Sequence, residues 1–187
     1  MPYEEKSKHE VQGGAGQRGY TSFGREHAKS SNVGDLKEFF QYGQELPDGH
    51  ELAAVYPENV YVDNMPDFNK VARELYQSFE QSGAYLLEAI AIFLGLPKDY
   101  FDKHIEGGNS ILRAIYYPPI TTEPKSAIRA EEHEDINLIT LLFGASADGL
   151  QVRPLGHDWI DVKALGNDIV INVCLLYTSD AADDLLC

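Results

Sequence analysis

The sequence predicts an α+β chain in which a helical N-terminal region precedes an incomplete double-stranded β-helix, or jelly-roll, barrel. Two observations carry that expectation. Apolar residues keep a near-helical period from Val71 to Leu94, and from Ser110 the pattern changes to short apolar runs separated by turn residues. The alternation stops after Val173, before a barrel of this kind would close, which predicts exposed sheet edges.

Residues 1–60 are rich in Gly, Ser and charge, with turn signals at Gly13-Gly14, Gly34 and Pro47-Asp48-Gly49. Within them Leu36, Phe39 and Phe40 have helical spacing, so a short helix is expected over Asp35–Tyr42. Pro66 opens a long helix whose core face is expected to be Val71, Leu75, Phe79, Leu86, Ile90 and Leu94. Gly95 and Pro97 end it as C-cap and breaker, and Pro97–His104 reads as one further short helix. Strands are expected at Ile111–Tyr117, Ile136–Phe143, Leu150–Arg153, Asp158–Val162 and Asp168–Val173. The breaks between them are Pro118-Pro119, Gly144–Gly149, Pro154–Gly156 and Leu165–Asn167. The domain reading is therefore 1–104 as a partial helical region, 105–173 as a partial barrel, and 174–187 as a tail.

Composition narrows the function class. At 43% hydrophobic and 24% charged residues, the chain can bury one sizeable core. A formal charge of −15 disfavours nucleic acid and anionic membrane surfaces, which are gripped by clustered Lys and Arg. No apolar run is long enough to span a bilayer and no signal peptide is evident. Both cysteines lie within residues 174–187, so the preceding 173 residues hold no disulfide or thiolate framework, which fits a cytoplasmic protein.

The residues richest in chemistry are His133-Glu134-Asp135. On a strand, positions two apart share a face, so His133 and Asp135 would converge on one ion while Glu134 points away. An imidazole and a carboxylate, completed by a distant second imidazole, form the facial set that suits non-haem Fe(II) and leaves positions open for a co-substrate and dioxygen. The spacing alone is weak, since chance yields roughly half of one His-x-Asp in a chain of this composition. A strand-edge His and Asp facing water would look the same.

Context decides between these readings. Arg129-Ala-Glu-Glu-His133-Glu-Asp135-Ile-Asn137-Leu-Ile-Thr-Leu-Leu142 resembles the metal-binding segment of the isopenicillin-N-synthase-like branch of 2-oxoglutarate/Fe(II) oxygenases. Ile111–Pro119, ending in Tyr117-Pro118-Pro119, is similar to that family's strand ending in Tyr-Pro-Pro. Gly149–Arg153 and Asp158–Val162 resemble its next hairpin. Gly16–Tyr20 and Asp35–Phe40 resemble parts of its helical N-terminal region, so residues 16–173 match in order.

The resemblance implies Fe(II) as cofactor, 2-oxoglutarate as co-substrate, and oxidation, by default hydroxylation, of a small organic substrate by dioxygen. It implies metal ligation by His133 and Asp135 and a co-substrate contact from Tyr117, whose bland alternative is an amphipathic strand tyrosine; Asn137, two positions past Asp135 on the same face, reads equally as a substrate contact or as a strand-edge polar residue. Many relatives carry Asn two residues before the tyrosine, where this chain has Ile115. Arg113 is expected to be structural. His157 sits in a hairpin turn and is a poor substitute ligand, while His9, His27, His50 and His104 are expected to be solvated.

The family's second metal His follows roughly fifty residues after the His-x-Asp pair, and an Arg-x-Ser about ten residues beyond it grips the co-substrate's far carboxylate. Neither element is recognisable here. After Val173 the chain runs Cys174-Leu-Leu-Tyr-Thr-Ser-Asp-Ala-Ala-Asp-Asp-Leu-Leu-Cys187, which resembles adapter read-through at the end of an assembled metagenomic read. The start also resembles the inside of the family's first helical unit. The expectation is a fragment with little turnover of its own; the alternative is a non-catalytic small-molecule-binding barrel or a fragment without function.

Overall fold

A computed structural model of the chain describes residues 1–13, 17–27, 33–121, 128–133, 135, 137–144, 149–154, 156–163 and 167–173. The expected foreign tail, 174–187, and the expected outward-pointing Glu134 lie outside the described residues. The described residues up to His133 form one compact unit, and those from Asp135 onward form a second.

The first unit is built on a three-stranded antiparallel sheet, β1 (Gly19–Thr21), β2 (Glu38–Gly43) and β3 (Ile111–Tyr116), in the order β1-β2-β3. Its register sets Tyr20 opposite Phe40, and Phe39 opposite Ile115. The short helix expected over Asp35–Tyr42 is therefore corrected to an extended approach and a central strand. The cause lies in the burial pattern. Asp35, Lys37, Phe39 and Gln41 are all buried, every second residue, with the intervening residues less so. Half of that face is charged and paired internally, so its period of two is invisible to a count of apolar residues. The β2–β3 pairing joins residues from either side of position 104 in one sheet.

Short helix α1 (Tyr3–Lys6) precedes the sheet, α2 (Pro66–Phe93) packs beside it, and α3 (Asp102–Ile105) follows. Pro66 sits in the first turn of α2, where its missing N–H costs nothing. Gly95, at φ +72°, closes the far end in the left-handed conformation that glycine tolerates best. The buried face of α2 is Ala72, Tyr76, Gly83, Leu87 and Ala91, one position on from the expected stripe. Val71 and Leu75 are exposed. Three of the five buried residues are Ala or Gly, so the helix approaches its neighbours through small side chains. The larger apolar residues beside them dominated the sequence pattern. Phe68 meets Phe40 of β2 edge-to-face at 5.2 Å.

Two polar clusters tie the unit together. Arg18 is fully buried; its guanidinium donates to the Gln17 carbonyl and to Asn109 Oδ1, each at 2.8 Å. A Cβ built on Gly43 would fall 1.9 Å from the Arg18 Cζ, so only glycine leaves room for the guanidinium. Glu38 accepts from both Lys6 Nζ and the Tyr20 hydroxyl. Burial opposes the charge on Glu38, but these two hydrogen bonds outweigh it and hold the carboxyl below its ordinary range.

The second unit contains two antiparallel pairs among its described residues. Strand β4 (Ile139–Phe143) pairs with β7 (Ile169–Val173), and β5 (Gln151–Val152) pairs with β6 (Ile160–Asp161) as the expected hairpin. Its turn is closed by the His157 N–H donating to the Pro154 carbonyl at 3.0 Å. Arg153 covers the Trp159 ring at 4.8 Å. The strands are shorter than expected, β4 and β7 at the start and β5 and β6 at both ends.

Gly43→Ala is expected to lower stability by about 1–3 kcal/mol, since Arg18 can yield only by giving up its hydrogen bonds; the urea midpoint measures this. The lowered pKa of Glu38 adds stability above the unfolded carboxylate value, and that stability is lost as pH falls through the lower folded value. Stability should therefore decline with acid below about pH 4.5, and Glu38→Gln should flatten that decline in urea titrations from pH 6 to pH 2.

Candidate metal centre

Segment 128–133 closes the first unit and is held by backbone and side-chain bonds without entering a strand. The Leu36 N–H donates to the Ile128 carbonyl at 2.9 Å, and the Glu131 N–H donates to Asp35 Oδ1 at 3.3 Å. His133 is exposed, with Nδ1 2.8 Å from the Glu131 carbonyl oxygen. A carbonyl oxygen only accepts, so Nδ1 carries the proton of the neutral ring and the lone pair lies at Nε2. That is the tautomer of an imidazole oriented for metal ligation through Nε2.

Tyr117 lies one residue beyond β3 and is partly exposed. Arg129 Nη1 reaches its carbonyl at 3.5 Å, and the Arg129 guanidinium lies 5.8 Å from the ring centroid. Arg113 is structural, as expected: it stacks over the Phe39 ring at 4.2 Å and pairs with Glu26 at 3.0 Å.

Asp135 opens the second unit. Its Oδ2 accepts from Thr140 Oγ1 at 2.9 Å and from Asn172 Nδ2 at 3.0 Å. Thr140 and Asn172 face each other in the β4–β7 register, so two strands present one donor each to one carboxylate. Asn137 Oδ1 also lies within 3.2 Å of Thr140 Oγ1. A hydroxyl has one proton, and the shorter contact and full charge favour Asp135 as its acceptor.

The strand geometry invoked for His133, Asp135 and Asn137 is corrected here. None of the three lies in β4, and Asn137 sits in a bend. The Asp135 carboxylate instead accepts from Thr140 and Asn172, side chains of the paired strands β4 and β7, from a position ahead of the ladder. Thr140, Asn172 and Asp35 were missed from sequence. The first two had a signal, a lone polar residue inside each of the apolar runs Ile139–Phe143 and Ile169–Val173.

Among the described residues no cluster of three His, Cys, Asp or Glu side chains forms a metal site. Taken singly, the neutral imidazole nitrogen of His133 and the anionic carboxylate oxygen of Asp135, each hydrogen-bonded within its own unit, are donor types that suit Fe(II).

The chain is similar to known proteins. Residues 108–176 match the family model of the 2OG-Fe(II) oxygenase superfamily, and residues 1–67 match that of the non-haem dioxygenase N-terminal region, described as "in morphine synthesis". The 2'-deoxymugineic-acid 2'-dioxygenase of Hordeum vulgare is 34% identical over 125 residues, covering 65% of this chain and 36% of that protein. A solved 2OG-Fe(II) oxygenase family protein from Caulobacter crescentus is 40% identical with a TM-score of 0.81, covering 93% of this chain and 56% of that one. A full-length Neurospora crassa protein, solved in complex with alpha-KG, is 29% identical with a TM-score of 0.75, covering 93% and 55%. The chain belongs to the 2OG-Fe(II) oxygenase superfamily and has its mixed helix-and-strand, jelly-roll fold. It spans about half, or less, of the length of these relatives.

Thr140→Val should remove the hydroxyl donor to Asp135 and lower the stability of the second unit by about 1 kcal/mol, read as faster amide exchange in β4 and β7.

Proposed function

We propose that these residues belong to a non-haem Fe(II), 2-oxoglutarate-dependent oxygenase that oxidises, by default hydroxylates, a small organic molecule with dioxygen. One observation carries the reading: His133 and Asp135 lie inside the region matched to the 2OG-Fe(II) oxygenase family, each with its ligating group oriented by a hydrogen bond. We assign them as two protein ligands of the iron. Bound there, iron would supply the redox chemistry with dioxygen, with 2-oxoglutarate as electron-donating co-substrate. His133 would present Nε2 while the Glu131 carbonyl holds its opposite edge, and Asp135 would be kept from rotating by Thr140 and Asn172.

We assign Tyr117 to the 2-oxoglutarate carboxylate through its hydroxyl, and Asn137 to the substrate. Asn137 keeps an amide nitrogen to donate while its oxygen lies near Thr140. The partners proposed are a small-molecule substrate and dioxygen, without nucleic acid or membrane; the net charge of −15 supports this. No described helix is long and apolar enough to cross a membrane. A cytoplasmic location is supported by the absence of Cys before position 174.

Anaerobic Fe(II) titration tests the ligand assignment. His133→Ala and Asp135→Ala should each weaken binding at least ~10-fold, and unchanged binding in either would remove that residue from the site. For the co-substrate, Tyr117→Phe should be compared with its parent in a chain continued after Val173 by a family C-terminal segment. Losing one hydrogen bond to a charged group should raise the 2-oxoglutarate requirement about 10- to 150-fold with iron affinity intact. An unaltered requirement excludes Tyr117 from the co-substrate site.

A further inference from the structure

The first unit connects a buried ion pair to the imidazole of His133 through one backbone segment. Lys37 and Asp35 are 7% and 5% exposed, and their side chains pair at 2.7 Å through Asp35 Oδ2. Lys37 also pairs with Glu26 at 2.8 Å, and Glu26 in turn pairs with Arg113. The Asp35 N–H donates to the Glu26 carbonyl at 2.8 Å, so backbone and side chain of Asp35 are both fixed. The other carboxylate oxygen, Oδ1, accepts the Glu131 N–H. The carbonyl of that same residue, Glu131, takes the Nδ1 proton of His133. Next to Asp35, the Leu36 N–H holds the Ile128 carbonyl, so segment 128–131 is fastened at both ends to the approach to β2.

From this we infer that Asp35 is a positioning residue for His133: by holding the Glu131 peptide it selects the Nδ1–H tautomer and presents Nε2 to the metal. The inference rests on the proposed ligand role of His133. A peptide plane held at its N–H has limited freedom to turn, and the carbonyl that selects the tautomer is on the neighbouring plane of the same residue. Without the Asp35 acceptor, Glu131 is secured only by its chain neighbours. The His133 ring is exposed and has no burial of its own to orient it. Asp35 lies 98 positions from His133 in the chain, so the link is tertiary.

The test uses the metal-free 187-residue chain labelled with nitrogen-15 at histidine, observed above pH 8 by long-range proton–nitrogen correlation. The tautomer of each ring is read from its two nitrogen shifts. Wild type should show His133 as the Nδ1–H form. The double variant Asp35→Ala/Lys37→Met removes both buried charges together, so neither is left unpaired. It should shift His133 toward the Nε2–H form while the other five histidines stay unchanged. Asp35→Asn keeps an acceptor oxygen and should restore the Nδ1–H form. A merely structural role for Asp35 would not single out one ring. Amide exchange in the unaltered protein gives a second readout that needs no variant: the Glu131 N–H, like that of Leu36, should exchange slowly.

Fe(II) titration of the same proteins separates the two ideas. A tautomer shift with binding weakened ~10-fold supports the relay and the ligand role together. A tautomer shift with unchanged binding upholds the relay and overturns His133 as a ligand. A double variant that keeps the Nδ1–H form, or a rapidly exchanging Glu131 amide, overturns the relay.

Discussion

The first unit depends on one buried ion pair. Lys37 and Asp35 sit on the same face of an extended segment, on the side that Phe39 and Gln41 continue into the middle strand of the sheet. Taking two charges out of water is costly, and the pair is tolerated because both ions are also bonded elsewhere: Lys37 to Glu26, and Asp35 to Glu131. Burial alone would pull the Lys37 ammonium down; its hydrogen bonds to Asp35 and Glu26 overcome that and raise it. Removing one partner would leave the other with a single remaining bond, Lys37 with Glu26 or Asp35 with Glu131, in a site where an under-compensated charge is costly. The register of β2, the docking of segment 128–131 and the position of Arg113 over Phe39 all refer back to this pair.

What the sequence made legible follows from how uniform each burial face is. The long helix was readable at both ends because Pro66 and Gly95 punctuate it chemically, whereas its buried face came out one residue off. There the contact is made by Ala72, Gly83 and Ala91, which carry little hydrophobic signal. The strands β3 and β7 and the β5–β6 hairpin were readable because their residues are apolar or β-branched and flanked by Gly and Pro. The strand β2 was not readable, since its approach buries a lysine and an aspartate where the rule expects leucine. Asp35 and Lys37 answer each other within a local window, but their further partners, Glu131 and Glu26, lie outside it.

The candidate site divides the same way. Residue types and order pointed to His133 and Asp135, and the family assignment supports the chemistry they suggest. Their surroundings were out of reach. Thr140 and Asn172 meet only because β4 and β7 pair across thirty-odd residues, and Asp35 meets Glu131 across more. The period-two argument for convergence relied on a strand, whereas β4 begins only at Ile139, beyond His133, Asp135 and Asn137. The residue types of the candidate site are thus legible locally, while the orientation of their side chains is tertiary.

The β2–β3 pairing has a kinetic corollary. Gly43 and Ile111 are neighbours in the sheet, and the 67 residues from 44 to 110 separate them in the chain. Closing so long a loop as random coil is slow, because its entropy is lost before any pairing energy returns. The helix α2 takes up 28 of those residues and forms from local contacts alone. Once folded, it shortens the flexible path and presents Phe68 and Tyr76 as a surface on which the strands can assemble. Loop-closure entropy therefore favours the helix before the β2–β3 pairing, and that pairing before the docking of segment 128–133, whose contacts to Asp35 and Leu36 span the longest stretch of chain.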